Sequence, residues 1–181
     1  MIVERFCETP WRLTQTPYNL SFGVDSSFII RISSLFADMP YEYLEEIGTA
    51  DIAFEATGRD LSELFRDAAD ATTNVMINNI EAIQPRETRQ IELSNDKLDM
   101  LLFDLLQELI FLKDAERLLM RMRQLEIEEK DEKLFLHGIA EGEPLDAERH
   151  HQRADVKAVT LHDFSVDRTE GGWKARVLLD I

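Results

Sequence analysis

The sequence predicts an α+β fold, a mostly antiparallel β-sheet packed with two main helices. Three observations carry that expectation. Two segments with helical spacing of apolar residues are set among segments that alternate in polarity; the order runs β, β, α, β, α and then several strands; and the last strands follow one another across short turns, as hairpins do.

Residues 1–38 carry no sustained period, mixing Pro10, Pro17, paired serines and scattered aromatics. Only four of the 36 acids and three of the 20 bases lie there, so the composition shifts near Met39-Pro40. The stretch is expected to be a poorly ordered N-terminal extension, or an over-extended reading frame in front of a true start at Met39. An added edge strand at Phe28–Ile32 is the alternative. A secretory signal is not expected, because Glu4 and Glu8 occupy its basic region and Arg31 splits the apolar run Phe28–Phe36. A single domain should occupy 39–181.

Tyr41–Leu44 and Asp51–Thr57 alternate, the second with Ile52, Phe54 and Ala56 on one face and Asp51, Ala53 and Glu55 on the other. Both predict strands. Gly58 ends the second, and Asp60-Leu61-Ser62-Glu63 has the form of a capping box, with Glu63 reaching back to the N-cap. The helix it opens buries Leu61, Leu64, Phe65, Ala68, Ala69, Thr72, Val75 and Met76 and runs to about Asn78. A short strand, Thr88–Leu93, follows Pro85 with Ile91 and Leu93 inward. Ser94, Asn95 or Asp96 then offers an N-cap for a second helix over Lys97–Lys113. That helix is apolar nearly all round, with a polar strip at Asp104, Gln107 and Glu108, which predicts a core helix covered on most sides.

Strands are expected at Leu118–Glu128, Lys133–Glu141 and Ala154–Asp163, the first two joined by the charged turn Glu129–Glu132 and the last two separated by Gly142–Arg153. The acidic runs Glu126–Glu132 and Glu141–Glu148 read as solvated turns, with a weaker expectation that they steer a basic partner. The final residues, Val156–Ile181, form a hairpin about Arg168–Gly172, where paired glycines supply positive φ. Its second arm stays apolar through Val177, Leu178 and Leu179 and then stops at Asp180-Ile181, so the last residues should be docked rather than frayed.

A formal charge of −16 repels a phosphate backbone over most of the surface, so no stable direct nucleic-acid binding is expected. No apolar run reaches the roughly 18 residues of a membrane helix. One cysteine, Cys7, makes no intramolecular disulfide and fits a reducing compartment, so a soluble, cytoplasmic protein is expected.

No GxSxG, P-loop, GxGxxG or HExxH sequence is present, which leaves no evident catalytic nucleophile. The four histidines share no ligand spacing and read as surface or satisfied core residues. Asp51 draws more interest, because it opens a strand between Ala50 and Ile52 and must be exposed, paired or metal-bound. It also fits a plain turn cap through Thr49. If its strand lies beside the last one, Asp51, Asp180 and the Ile181 α-carboxylate cluster their oxygens, a hard ligand set suited to a divalent cation. Lys157 then serves as counter-ion or lines the rim, or it is an ordinary solvated strand lysine. Residue spacing alone leaves open a small carboxylate-metal-dependent hydrolase and a calcium-stabilised interaction module.

Several stretches together resemble the archease family: Tyr41-Glu42-Tyr43-Leu44, Thr49-Ala50-Asp51-Ile52, Leu61-Ser62-Glu63-Leu64-Phe65, Val156-Lys157-Ala158-Val159-Thr160 with His162, Gly171-Gly172-Trp173-Lys174-Ala175-Arg176, and the closing Asp180-Ile181. The resemblance covers Pro40 to the end, in the same order. It implies a non-catalytic activator of the RtcB-type RNA ligase of tRNA splicing and RNA repair, promoting guanylylation and repeated turnover of the ligase. It implies metal-site positions at Asp51, Asp180 and Ile181, with Ca2+ as the expected cation and Mg2+ or Mn2+ as alternatives, and a functional lysine at Lys157. Many members carry a histidine just ahead of the Thr-Ala-Asp sequence; this chain has Gly48 there, and lacks whatever that histidine does.

Overall fold

The computed structural model describes residues 40–44 and 51–181. The expectations for residues 1–38, the strand at 28–32 among them, fall outside the described residues, as does Gly48. Apart from a single 3-10 turn at Ile80–Ala82, ten elements follow in order: β1 (Tyr41–Tyr43), β2 (Asp51–Gly58), α1 (Leu61–Met76), β3 (Glu87–Asn95), α2 (Leu98–Ala115), β4 (Leu118–Lys130), β5 (Lys133–Pro144), the short α3 (Ala147–His150), β6 (Ala158–Thr169) and β7 (Gly172–Asp180). Every strand pair is antiparallel, as expected, but the strands divide between two sheets. One has the order β1-β2-β7-β6 and the other β3-β5-β4.

The helices and the inner faces of the strands share the core. Helix α1 packs against β2, β4 and β7, and α2 against β3, β4 and β6. Leu101, Leu102, Leu105 and Leu106 of α2 are fully buried, and each contributes about 2 kcal/mol relative to an exposed side chain. The nearly all-round apolar pattern of α2 thus reflects cover on most sides, with Phe111 left 55% exposed.

Helix α1 opens as its sequence asks, with one shift. Asp60 accepts from the Glu63 N–H at 2.8 Å, but Glu63 reaches one residue further back than expected, to the Arg59 N–H at 2.7 Å and the Arg59 guanidinium. That hydrogen bonding and the Arg59 charge bring the Glu63 carboxyl down to about 2. Gly58 permits the tight connection, since a Cβ there would lie 2.3 Å from the Leu64 nitrogen. Helix α2 departs from expectation. Ser94 and Asn95 continue β3, paired with Phe135 and Leu134, so the N-cap falls on Lys97 with no side-chain cap. Asn95 instead accepts from the Lys97 N–H (3.2 Å) and donates to Asp104 (2.9 Å).

Two further expectations are corrected. The strand expected at 154–163 begins at Ala158 and continues to Thr169, with a bulge between Thr160 and Ser165. And Glu143, expected in a solvated acidic turn, is fully buried. Its carboxylate accepts from the Gln84 N–H (2.8 Å), meets Arg149 (2.5 Å) and Arg86 (3.3 Å), and lies 3.1 Å from Nε2 of His150. The His150 Nδ1 accepts from the Asp146 N–H (3.0 Å), which leaves Nε2–H to donate to Glu143. Burial alone would raise the Glu143 carboxyl, but Arg149, the Gln84 N–H and His150 outweigh it and bring it down to about 2. His150 is therefore a satisfied core histidine, and the cluster braces the link from β5 into α3.

Candidate functional site

The corner that matters lies where β2 begins and β7 ends. Asp51 and Asp180 are directly opposite each other in the β2–β7 pairing, so their side chains share one face of the sheet. Ala53 turns its carbonyl toward β1, accepting from the Leu44 N–H at 2.9 Å, and Asp51 two residues earlier turns the same way. Asp180 turns its carbonyl toward the opposite side, accepting from the Lys157 N–H at 2.9 Å. At this pair neither main chain faces the other. It is the close, non-hydrogen-bonded kind, with Cα atoms roughly 4.5 Å apart.

Both aspartates are partly buried, and neither carboxylate takes part in a hydrogen bond or ion pair among the described residues. Further along the same face the charges are balanced, with Glu55 held by Lys174 at 2.6 Å and set opposite Arg176. The corner is where that balance stops. Like charges directly opposite on a sheet repel, and the turn cap expected for Asp51 through Thr49 lies outside the described residues.

Lys157 and Ile181 complete the corner. The exposed Lys157 reaches across to the main-chain oxygen of Ile181, Nζ to O 2.9 Å. Ile181 packs its side chain against the core, so the last residue is docked as expected. The structure thus brings together all four residues singled out in the sequence. Among the described residues no three His, Cys, Asp or Glu side chains converge.

Two residues behind the corner escaped the sequence reading. Lys113, only 6% exposed, bonds Asp155 (2.8 Å), Asp114 (2.6 Å) and the Val156 carbonyl (2.8 Å), fixing the segment that leads into Lys157. Burial alone would lower the Lys113 ammonium, but its bonds to Asp114 and Asp155 hold it above the usual range. The Lys113 bond and charge, with a further contribution from Lys157, hold Asp155 below the ordinary carboxylate range. A signal was present: Lys113 follows Leu102, Leu106 and Leu109 on the buried stripe of α2, where a lysine must have partners.

A family model described as the Archease protein family matches residues 41–181. The protein archease of Methanothermobacter thermautotrophicus is 41% identical over 133 residues, which cover 74% of this chain and 94% of that one. The protein archease of Pyrococcus furiosus is 37% identical over 134 residues, with the same coverage of each. The chain belongs to the archease family. The archease fold is matched in three dimensions as well: the solution structure of Methanobacterium thermoautotrophicum protein 1598 superposes with a TM-score of 0.69 at 38% identity, covering 78% of this chain and 99% of that one. All four corner residues lie inside the matched archease span. Within the described residues of this archease, no helix is long and apolar enough to cross a membrane.

Proposed function

We propose that this protein is a non-catalytic activator of an RtcB-type RNA ligase, and that it presents a divalent cation held by Asp51, Asp180 and the α-carboxylate of Ile181. Family membership supports the choice of partner, through the resemblance set out above. The observation that carries the site is the close Asp51–Asp180 pair, whose carboxylates have no hydrogen-bond or ion-pair partner among the described residues. The donors are hard carboxylate oxygens without nitrogen or sulfur, which suits Ca2+, with Mg2+ or Mn2+ as alternatives. Such a cation, when bound, supplies positive charge beside the partner's nucleotide triphosphate.

The chain's own residues do the rest. Asp51 and Asp180 aim their oxygens from adjacent strands, and the docked side chain of Ile181 keeps the last residue in reach. Lys157 holds the Ile181 oxygen and, being exposed, offers a second positive charge toward the ligase as it is guanylylated. With a net charge of −16 the protein would work through the ligase rather than on the RNA, in the cytoplasm where such a ligase acts. In a reconstituted ligation with RNA ends in excess, Asp180→Ala should leave a folded protein that no longer supports multiple turnover. Full turnover with that variant would remove the assignment.

A further inference from the structure

Lys113 sits where an apolar side chain would serve the core better. It occupies the buried stripe of α2, and a methionine of similar length would fill the same space without desolvating a charge. Besides pairing with the adjacent Asp114 at 2.6 Å, the ammonium reaches outside the helix, where it binds the Val156 carbonyl and the Asp155 carboxylate, both at 2.8 Å. These residues lie immediately before Lys157, whose N–H is tied to Asp180 and whose Nζ is tied to Ile181, each at 2.9 Å. Asp155 is also a rival for Lys157. Its side chain is 81% exposed, lies two residues away, and already feels the Lys157 charge. An Asp155 released from Lys113 would be free to draw Lys157 off the last residue.

We propose that Lys113 is a positioning residue for the corner: by clamping Asp155 and the Val156 carbonyl it keeps Lys157 on Ile181 and away from Asp155. The inference rests on the reading of Lys157 as a partner-facing group. Lys113 touches neither the cation site nor the ligase, and acts only through the 155–157 segment.

The test uses Lys113→Met and Lys113→Gln, the second retaining an amide donor for Val156 in case the first fails to fold, each with and without Asp155→Asn. Lys157→Ala serves as reference. Both Lys113 variants should melt as folded proteins yet lower ligase turnover about tenfold, the scale of effect seen when the group orienting a functional residue is lost. Adding Asp155→Asn should restore most of that loss, because the rival anion is gone. A general packing role would make the double variants no better than the single ones, and that result overturns the clamp. A crystal structure of Lys113→Gln should show Lys157 Nζ moved from Ile181 to Asp155; Nζ still on Ile181 overturns the clamp too. Unchanged turnover with Lys157→Ala would sink the functional reading of the corner while the crystal structure still decides the clamp.

Discussion

Replacing Asp180 with asparagine removes one of two like charges while keeping shape, and should make the cation-free protein more stable. The Asp51–Asp180 pair is of the close kind, which puts the two carboxylates roughly 5 Å apart. Both are partly exposed, so an effective dielectric constant between about 40 and 80 applies, and the repulsion comes to about 1 kcal/mol. No donor offsets it among the described residues. For a domain of this size, 1 kcal/mol corresponds to about 4 °C in Tm. Calorimetry in chelator should therefore show Asp180→Asn melting a few degrees above the natural protein. Titrating in Ca2+ should reverse the order. The natural protein gains about 2.7 kcal/mol at a hundredfold excess over Kd, and the variant, with one ligand weakened, gains far less. A variant that melts lower in chelator, or that keeps the full Ca2+ increment, would refute both the electrostatic account of the corner and its use as a cation site.

The Glu143 brace should be visible in acid. Its folded carboxyl sits at about 2, below the ordinary value of 4.5, so its contribution is present above 4.5 and lost as the pH falls toward 2. Denaturant melts of the natural protein and Glu143→Gln at pH 7 and pH 3 should show the gap between them closing in acid, and a pH-independent gap would contradict this. At pH 7, Glu143→Ala should cost about 3 kcal/mol, the low end for a broken buried pair, because the partly exposed Arg86 and Arg149 can turn to water. Asp60→Ala, which removes the α1 N-cap bond to Glu63, should cost about 1 kcal/mol by the same melts.

Periodicity in the sequence located both main helices and nearly every strand because each buries one face, and burial leaves a repeat of two or 3.6 residues. The corner was legible for a different reason. A terminal Asp-Ile after an apolar arm implied docking, and Asp51 at a strand start implied a charge in need of a partner. What stayed hidden depended on long-range contacts. The division into two sheets cannot be read from hairpin order, because β2 meets β7, and β3 meets β5, only in the fold. Glu143 looked like one more acid in an acidic loop, and its burial follows from Arg86, Arg149 and His150 arriving from both sides of it. The N-cap of α2 was misplaced because pairing of Ser94 and Asn95 with β5 outcompeted a local capping preference.

The corner is written by strand register more than by its own residues. Asp51, Lys157 and Asp180 come from three separate parts of the chain, and they meet because β2, β7 and β6 align with Phe54 opposite Val177 and Val159 opposite Leu179. Those four side chains are all buried, so the alignment is held by the core. A slip of one residue in β7 would move Asp180 to the other face and take Val177 and Leu179 out of the core, costing several kcal/mol in lost packing. The apolar core on one face of the sheet therefore protects an unfavourable pairing of two acids on the other. Among the described residues that pairing has no donor of its own, so its persistence rests on the register that the core imposes.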